Sequence, residues 1–299
     1  MKKISAKIKP ILCTAACLCL LITFFCMAFT SGEEKVSGNE RIVLKIWQID
    51  SFEGGKGSRA DYLQSVGNDF TKNGGAYISV TALSSEAARL NLSEGNIPDI
   101  ISYGAGVYGL EGYISGYKQW CRGGYCILTA EGDFSDITAE NTVVNGGREN
   151  FTSAALVFAG LNGAETRPST SAYLKLINGE KKYLFGTQRD IFRLKTRGVA
   201  FRVMPFTVYN DLYQIVSVTS SCENPQTANE FINYLLSRKG EVTKLGLISE
   251  DAVYEDEMRD MTGIEFDCKL TVPLGEEAHK RLLNLISSGD INSLKNFFN

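Results

Sequence analysis

The sequence holds one histidine, His279, and only 6 prolines. A single imidazole excludes His-rich metal sites and leaves no basis for most His-dependent catalytic triads. Scarce proline beside 29 glycines fits neither a collagen-like nor a disordered chain. A basic surplus is missing too: the formal net charge is −3, which argues against nucleic acid as a partner. No internal repeat or low-complexity tract stands out. What remains is a chain of 299 residues, 44% hydrophobic and 22% charged, able to bury one or two ordinary cores.

Charge and apolarity are unevenly placed. The first nine residues carry four lysines and no acid, and an apolar run follows from Ile11 to Phe29. That order describes residues 1–31 as a secretory signal peptide or an uncleaved N-terminal membrane anchor, since a run of about 20 residues is long enough to cross a bilayer. Either outcome puts the body outside the cytoplasm, secreted or tethered to the outer face of the cell membrane. Without those lysines the body's formal charge moves from −3 to −7. Four of the eight cysteines also lie in this segment, leaving Cys121, Cys126, Cys222 and Cys268. Four cysteines outside the cytosol allow three disulfide pairings, and spacing does not choose among them. Cys121 and Cys126 lack the C-x2-C spacing of half a zinc site, so structural cysteines are the better reading.

The body opens as alternating strands and helices. Ile42 to Trp47 is β-rich; Ser58-Arg59-Ala60-Asp61 reads as a capping box; and Tyr62, Leu63, Val66 and Phe70 line one helical face. A second strand over Ala76–Ala82, a helix over Ser84–Glu94 and a strand from Pro98 follow, an order that argues for a parallel sheet covered by helices. Trp120 to Leu128 reads as one extended stretch and Asp133 to Gly147 as polar loop. Helices are expected around Phe151–Phe158, Ser171–Ile177 and Gln188–Lys195, with strands at Lys182–Phe185, Val199–Met204 and Tyr213–Thr219. The clearest helix follows Asn224-Pro225, with Ala228, Phe231, Ile232, Leu235 and Leu236 in one buried stripe. Two more are expected at Glu276–Ile286 and Ile291–Phe298, the first of them charged and exposed around His279.

The segment Gly179 to Gly240 carries a resemblance. Phe185-Gly186-Thr187-Gln188-Arg189-Asp190, then Gly198-Val199-Ala200, Met204-Pro205, Tyr213 to Val218 and Asn224-Pro225-(x)2-Ala228-(x)2-Phe231-(x)3-Leu235 resemble extracellular solute-binding proteins of ABC importers. The order looks most like the carbohydrate-binding branch related to maltose-binding protein. Leu44-(x)2-Trp47, Ile97-Pro98-Asp99-Ile100-Ile101 and Arg122-Gly123-Gly124-Tyr125 match the same pattern upstream, so the likeness covers most of residues 41–250. It implies an α/β, two-lobed periplasmic-binding-protein-like fold of type II. Lobe 1 would take residues 41–118 and 217–250; lobe 2 would take 119–216 and 251–299. The stretch between the crossing strand and Phe185 is short for the family, which implies a reduced second lobe. No good lipobox precedes any cysteine, since Phe24-Phe25 before Cys26 is too bulky and Thr14-Ala15-Ala16 before Cys17 sits too early, a departure from the lipid-anchored members of the family.

The resemblance also sets the expected activity. It implies a monomer that captures a small molecule, a sugar, between its lobes by hinge bending and delivers it to ABC permease subunits, with no catalysis, cofactor, metal or nucleic acid. The chain crossings would lie near Gly116–Trp120 and Tyr213–Ser217. Sugar recognition uses flat apolar surfaces and planar polar groups, so the candidate ligand-binding residues are Trp47, Gln48, Asp50, Glu53, Tyr103, Tyr108, Trp120, Gln188, Arg189, Asp190 and Tyr213. An aromatic in a strand is more often core than platform, and that alternative stands for both tryptophans. A tethered sensor subunit for a receptor kinase is the second reading. A glycoside-acting enzyme, with Asp50 and Glu53 as a carboxylate pair, is the third. Gly104-Ala105-Gly106-Val107-Tyr108-Gly109 has the dinucleotide spacing, but the glycines after it break the helix that a pyrophosphate site requires.

Overall fold

The computed structural model describes residues 42–50, 56–146, 152–249, 256–268 and 273–299. The segment read as a signal or anchor therefore lies outside the described residues, as does Glu53. Strand β1 (Val43–Ile49) buries Leu44 and Ile46 on one side and Trp47 and Ile49 on the other, because helices cover both faces of its sheet. Helix α1 (Arg59–Lys72) starts at Ser58, whose hydroxyl accepts from the Asp61 amide at 3.3 Å. It turns Leu63, Val66 and Phe70 inward. Strand β2 (Tyr77–Leu83), helix α2 (Ser85–Ser93) and strand β3 (Ile100–Gly104) follow, with Ser84 capping α2 through the Ala87 amide at 3.2 Å.

The extended reading of Trp120–Leu128 resolves into two strands. β4 (Ile114–Arg122) and β5 (Tyr125–Thr129) are broken at Gly123-Gly124, and β4 begins well inside the glycine-rich stretch. The polar stretch hides β6 (Thr142–Asn145), too short for any alternation to be legible. Then come α3 (Thr152–Ala159), the three-residue β7 (Glu165–Arg167), α4 (Ser169–Ile177), β8 (Tyr183–Thr187), α5 (Gln188–Thr196), β9 (Arg202–Pro205), β10 (Tyr213–Thr219) and α6 (Pro225–Ser237). A 3-10 segment over Lys239–Leu245 carries the chain past the expected stop at Gly240. Short α7 (Asp256–Arg259) and the pair α8 (Glu276–Ser288) and α9 (Ile291–Phe298) complete the chain.

The strands form two sheets with one pattern. The first runs β2-β1-β3-β10-β4, with β1 parallel to β2 and β3 and with β10 antiparallel to β3 and β4. The second runs β7-β6-β8-β5-β9, with β6 parallel to β7 and β8 and with β5 antiparallel to β8 and β9. Strands of the second sheet span three to five residues, against five to nine in the first, so the second is the smaller. The chain changes sheet at residues 122–125 and again at 205–213, rather than near Gly116–Trp120 and Tyr213–Ser217. Sheet membership thus breaks four residues later than 118 and four earlier than 217.

Four strips of backbone lie side by side where the sheets join. Arg122 and Ile248 exchange both backbone hydrogen bonds, at 3.1 and 2.7 Å. On the other flank Asn210 Nδ2 donates to the Gly123 carbonyl at 3.1 Å, while Asn210 N donates to Phe266 O at 2.9 Å and Cys268 N to Asn210 O at 2.8 Å. The described residues after 249 contribute no strand to either sheet. Met258 and Met261 join the apolar cluster of α4 and α5, and Leu274 pairs with Tyr108 after β3. α8 and α9 cover α3, which is why α3, Thr-Ser-Ala-Ala-Leu-Val-Phe-Ala, can be apolar all round. Among the described residues no disulfide joins two cysteines; Cys121, Cys126 and Cys268 are buried.

Candidate functional site

In open α/β sheets, ligands meet the carboxyl ends of strands and the amino ends of the helices that follow. Here those ends converge from both sheets on the joining strips. The first sheet contributes the end of β1, the start of α1 and the loop after β3. The second contributes the end of β8 with the start of α5, and Asn145 at the end of β6.

At the first of these, Asp50 accepts from Arg59 Nε at 2.9 Å and from Gln48 Nε2 at 2.9 Å. Arg59 is only 2% exposed and sits at the first position of α1, where the helix dipole disfavours a cation, so the carboxylate is its necessary partner. The Asp50 side chain remains 54% exposed. Behind it, Gln214 Nε2 donates to Ile49 O at 3.0 Å and to Ser102 Oγ at 3.2 Å, and Trp120 Nε1 donates to Ser102 Oγ at 3.0 Å. The Oε1 atoms of Gln48 and Gln214 are buried and accept no hydrogen bond among the described residues. Beside this cluster a cavity of about 100 Å³ is lined by Trp120, Cys121, Arg122, Lys239, Ile248 and Ser249. Burial pushes the Cys121 thiol well up, so it is not poised as a nucleophile.

The start of α5 is held by its own capping box. Thr187 N donates to Asp190 Oδ2 at 2.8 Å, and Asn145 Nδ2 reaches Oδ1 at 2.8 Å. Tyr173 also donates its hydroxyl to Asp190, and Arg193 NH1 donates in turn to the Tyr173 hydroxyl at 2.7 Å. Burial, then the Asp190 charge, raise the Tyr173 phenol above its ordinary value. Gly186 makes room for this: a Cβ there would stand 2.2 Å from Asp190 Oδ2. Gln188 is bolted to the crossing strip, its amide donating to Gly124 O and its Oε1 accepting from Gly124 N, both at 2.9 Å.

The joining strips have their own buried acid. Asp211 accepts from the Tyr125 hydroxyl at 2.7 Å and from the Tyr209 hydroxyl at 3.1 Å, tying the end of one crossing to the other. Burial pushes its carboxyl up to about 7 against the pull of both phenols, and the charge of Asp267 acts in the same upward sense. Asp267 itself pairs with Arg122 at 3.3 Å.

The eleven sequence candidates thus separate. Trp47 is 9% exposed and Trp120 2%, and Trp120 stacks on Tyr62 with ring centroids 5.8 Å apart and planes 4° from parallel. Both rings lie in the core, as do Tyr103 and Tyr213, so none of the four offers a ring face to solvent. Gln48, Gln188 and Asp190 are buried in the networks above. Tyr108 is half-buried in the loop after β3, one face against the Arg89 guanidinium at 4.1 Å and the other stacked on His279 at 4.1 Å and 18°. Gly109, at φ +79°, lets that loop turn where Arg89 packs. No helix opens after β3, which removes the geometry of a dinucleotide site. Asp50 is exposed and Arg189 half-buried; Glu53 lies outside the described residues.

Sequence reasoning overlooked Arg59, Arg122, Asp211 and Tyr125. Two signals were available: an arginine at the first position of a helix needs a counter-charge, and Asp211 sits in the run Tyr209-Asn210-Asp211-Leu212-Tyr213, within two residues of two tyrosines and a leucine that favour burial. His279, expected on an exposed helix, is half-buried against Tyr108. Among the described residues no three His, Cys, Asp or Glu side chains converge as metal ligands, and no helix is long and apolar enough to cross a membrane.

No protein-family model matches the chain, and no curated protein matches it. Solved structures do. Iron-bound HitA from Pseudomonas aeruginosa is similar over 83% of this chain and 99% of its own, at 11% identity and a TM-score of 0.58. The substrate-binding domain of a putative molybdenum ABC transporter from Clostridium difficile matches 70% of this chain and 99% of its own, at 12% identity and 0.48. The second substrate-binding domain of GlnP from Lactococcus lactis, in an open conformation, matches 69% and 94%, at 18% and 0.45. At such identities the likeness speaks for the fold alone. Together with the doubled strand order, it makes this a two-lobed α/β fold of the type II periplasmic-binding-protein kind, with the smaller sheet in the second lobe.

Proposed function

We propose that this protein is an extracytoplasmic solute-binding protein that holds a small molecule between its lobes and hands it, unchanged, to ABC permease subunits. Lobe 1 would carry residues 42–122 and 213–249, and lobe 2 residues 125–205. The observation that carries the reading is the repeated strand order, which aims the carboxyl ends of both sheets at one set of joining strips. Closure on ligand follows because only the closed form lets both lobes touch it. The lysine-led apolar segment of residues 1–31 supports export.

The chemistry of the face speaks to ligand class. A sugar, the ligand expected from sequence, needs open ring faces, and Trp47, Trp120, Tyr103 and Tyr213 are buried while Tyr108 has both faces covered. The charged groups that reach the surface at the strand and helix ends are Asp50, which Arg59 and Gln48 hold, Lys56, whose ammonium lies 4.5 Å over the Phe192 ring, and the half-buried Arg189. We therefore place small charged or zwitterionic solutes ahead of sugars. Thermal melts and titration calorimetry against amino acids, carboxylates, oxyanions and mono- and oligosaccharides test this. A ligand at 100 times its dissociation constant should add about 2.7 kcal/mol. A shift with sugars alone restores the carbohydrate reading, and turnover of a glycoside overturns binding as the activity.

A further inference from the structure

We propose that the C-terminal arm, residues 273–299, is a strap that fastens the loop after β3 in lobe 1 to α3 in lobe 2 and restrains the lobes from parting. This inference rests on the two-lobed fold and not on any solute.

The arm has an anchor at one end and a clasp at the other. The anchor is apolar: Leu282 and Leu294 are fully buried and Phe298 nearly so, on the two helices that pack against α3. Rings extend it, Phe158 stacking on Tyr209 at 4.2 Å and 8°, with Phe298 5.8 Å from Tyr209. The clasp is small and half-exposed. Gly109 N donates to Leu274 O at 3.0 Å, Tyr108 pairs in parallel with Leu274, and His279 stacks on Tyr108. Arg89, on α2 of lobe 1, closes the other face of that ring.

Bending about the strips at 122–125 and 205–213 carries the β3 loop away from α3. An arm attached to both must then let go of one. Burial is proportional to apolar area removed from water, so the three-residue anchor holds and the clasp yields. The stack of Tyr108 on His279 is accordingly the contact that sets how often the lobes separate.

The test uses the full chain with spin labels on an encoded keto amino acid at exposed Glu94 in lobe 1 and exposed Glu180 in lobe 2. Distance distributions are compared for the parent, His279→Ala, Tyr108→Ala and His279→Phe. Loss of one ring stack should raise the long-distance fraction about three- to tenfold in the two alanine variants. His279→Phe keeps a stacking ring and should keep the parent distribution. Lys280→Ala, a neighbour outside the stack, controls for damage to α8 and should also leave it unchanged. Unchanged distributions in both alanine variants overturn the strap, and so does a Phe variant that opens as far as the alanine one.

Discussion

Replacing Asp211 by asparagine should remove a pH dependence of stability that this one carboxyl imposes. Its folded pKa is about 7, raised by burial, whereas an unfolded aspartate titrates near 3.9. The folded state therefore holds a proton that the unfolded state releases across that interval. The sign follows directly: the contribution is complete below about pH 4 and is lost as pH climbs through about 7. At 1.36 kcal/mol per unit, the loss reaches about 4 kcal/mol above pH 8, more than half of it between pH 5 and pH 8. In Asp211→Asn the amide oxygen keeps the Tyr125 donor, and the amide nitrogen donates to the Tyr209 hydroxyl instead of accepting from it. Urea unfolding at pH 5, 6.5 and 8 reads the effect as a midpoint shift at constant slope. The parent should weaken steadily with rising pH and the variant should not. His279 works in the opposite sense, because burial and then Arg89 lower its pKa, so its contribution is lost as pH falls through that lowered value. A faint trend of that sign should be what remains in the variant. An Asp211→Asn protein with the parent's full pH slope would refute the assignment.

Two further outcomes test the core placements. Gly186→Ala puts a Cβ into the Asp190 carboxylate that caps α5, so the urea midpoint should fall by an amount equivalent to about 1–3 kcal/mol; an unchanged midpoint would mean the capping box is not what that glycine serves. Trp120→Ala removes a ring stacked on Tyr62 and the donor to Ser102, which should cost about 3–5 kcal/mol of stability. A Trp120→Ala protein with the parent's midpoint and a weakened ligand would return that ring to the cleft.

Much was legible in the sequence where one helix or strand answers to its own residues. Ser58 and Ser84 announce the starts of α1 and α2, Asn224-Pro225 announces α6, and the β-rich run of β1 and the stripe of α6 are local patterns read by a neighbouring sheet or helix. The aromatic and polar candidates Trp47, Gln48, Tyr103, Trp120, Gln188, Asp190 and Tyr213 lie at or near strand and helix ends with their side chains buried. Trp120 and Cys121 sit at an irregularity of the pairing with β10, so the face each presents depends on a partner about a hundred residues away. Short strands such as β6 and β7 exist only through pairing, β6 with β8 and β7 with β6.

The sequence by itself determined the alternation of strands and helices and the helix caps, because each depends on neighbours within a few positions. Tertiary structure alone decided that Asp190 caps a helix, that Asp211 is buried between two phenols, and that α8 lies on both Tyr108 and α3. Those depend on distances between segments remote in the chain, and burial, which sets both charge state and access, is a property of the packed whole.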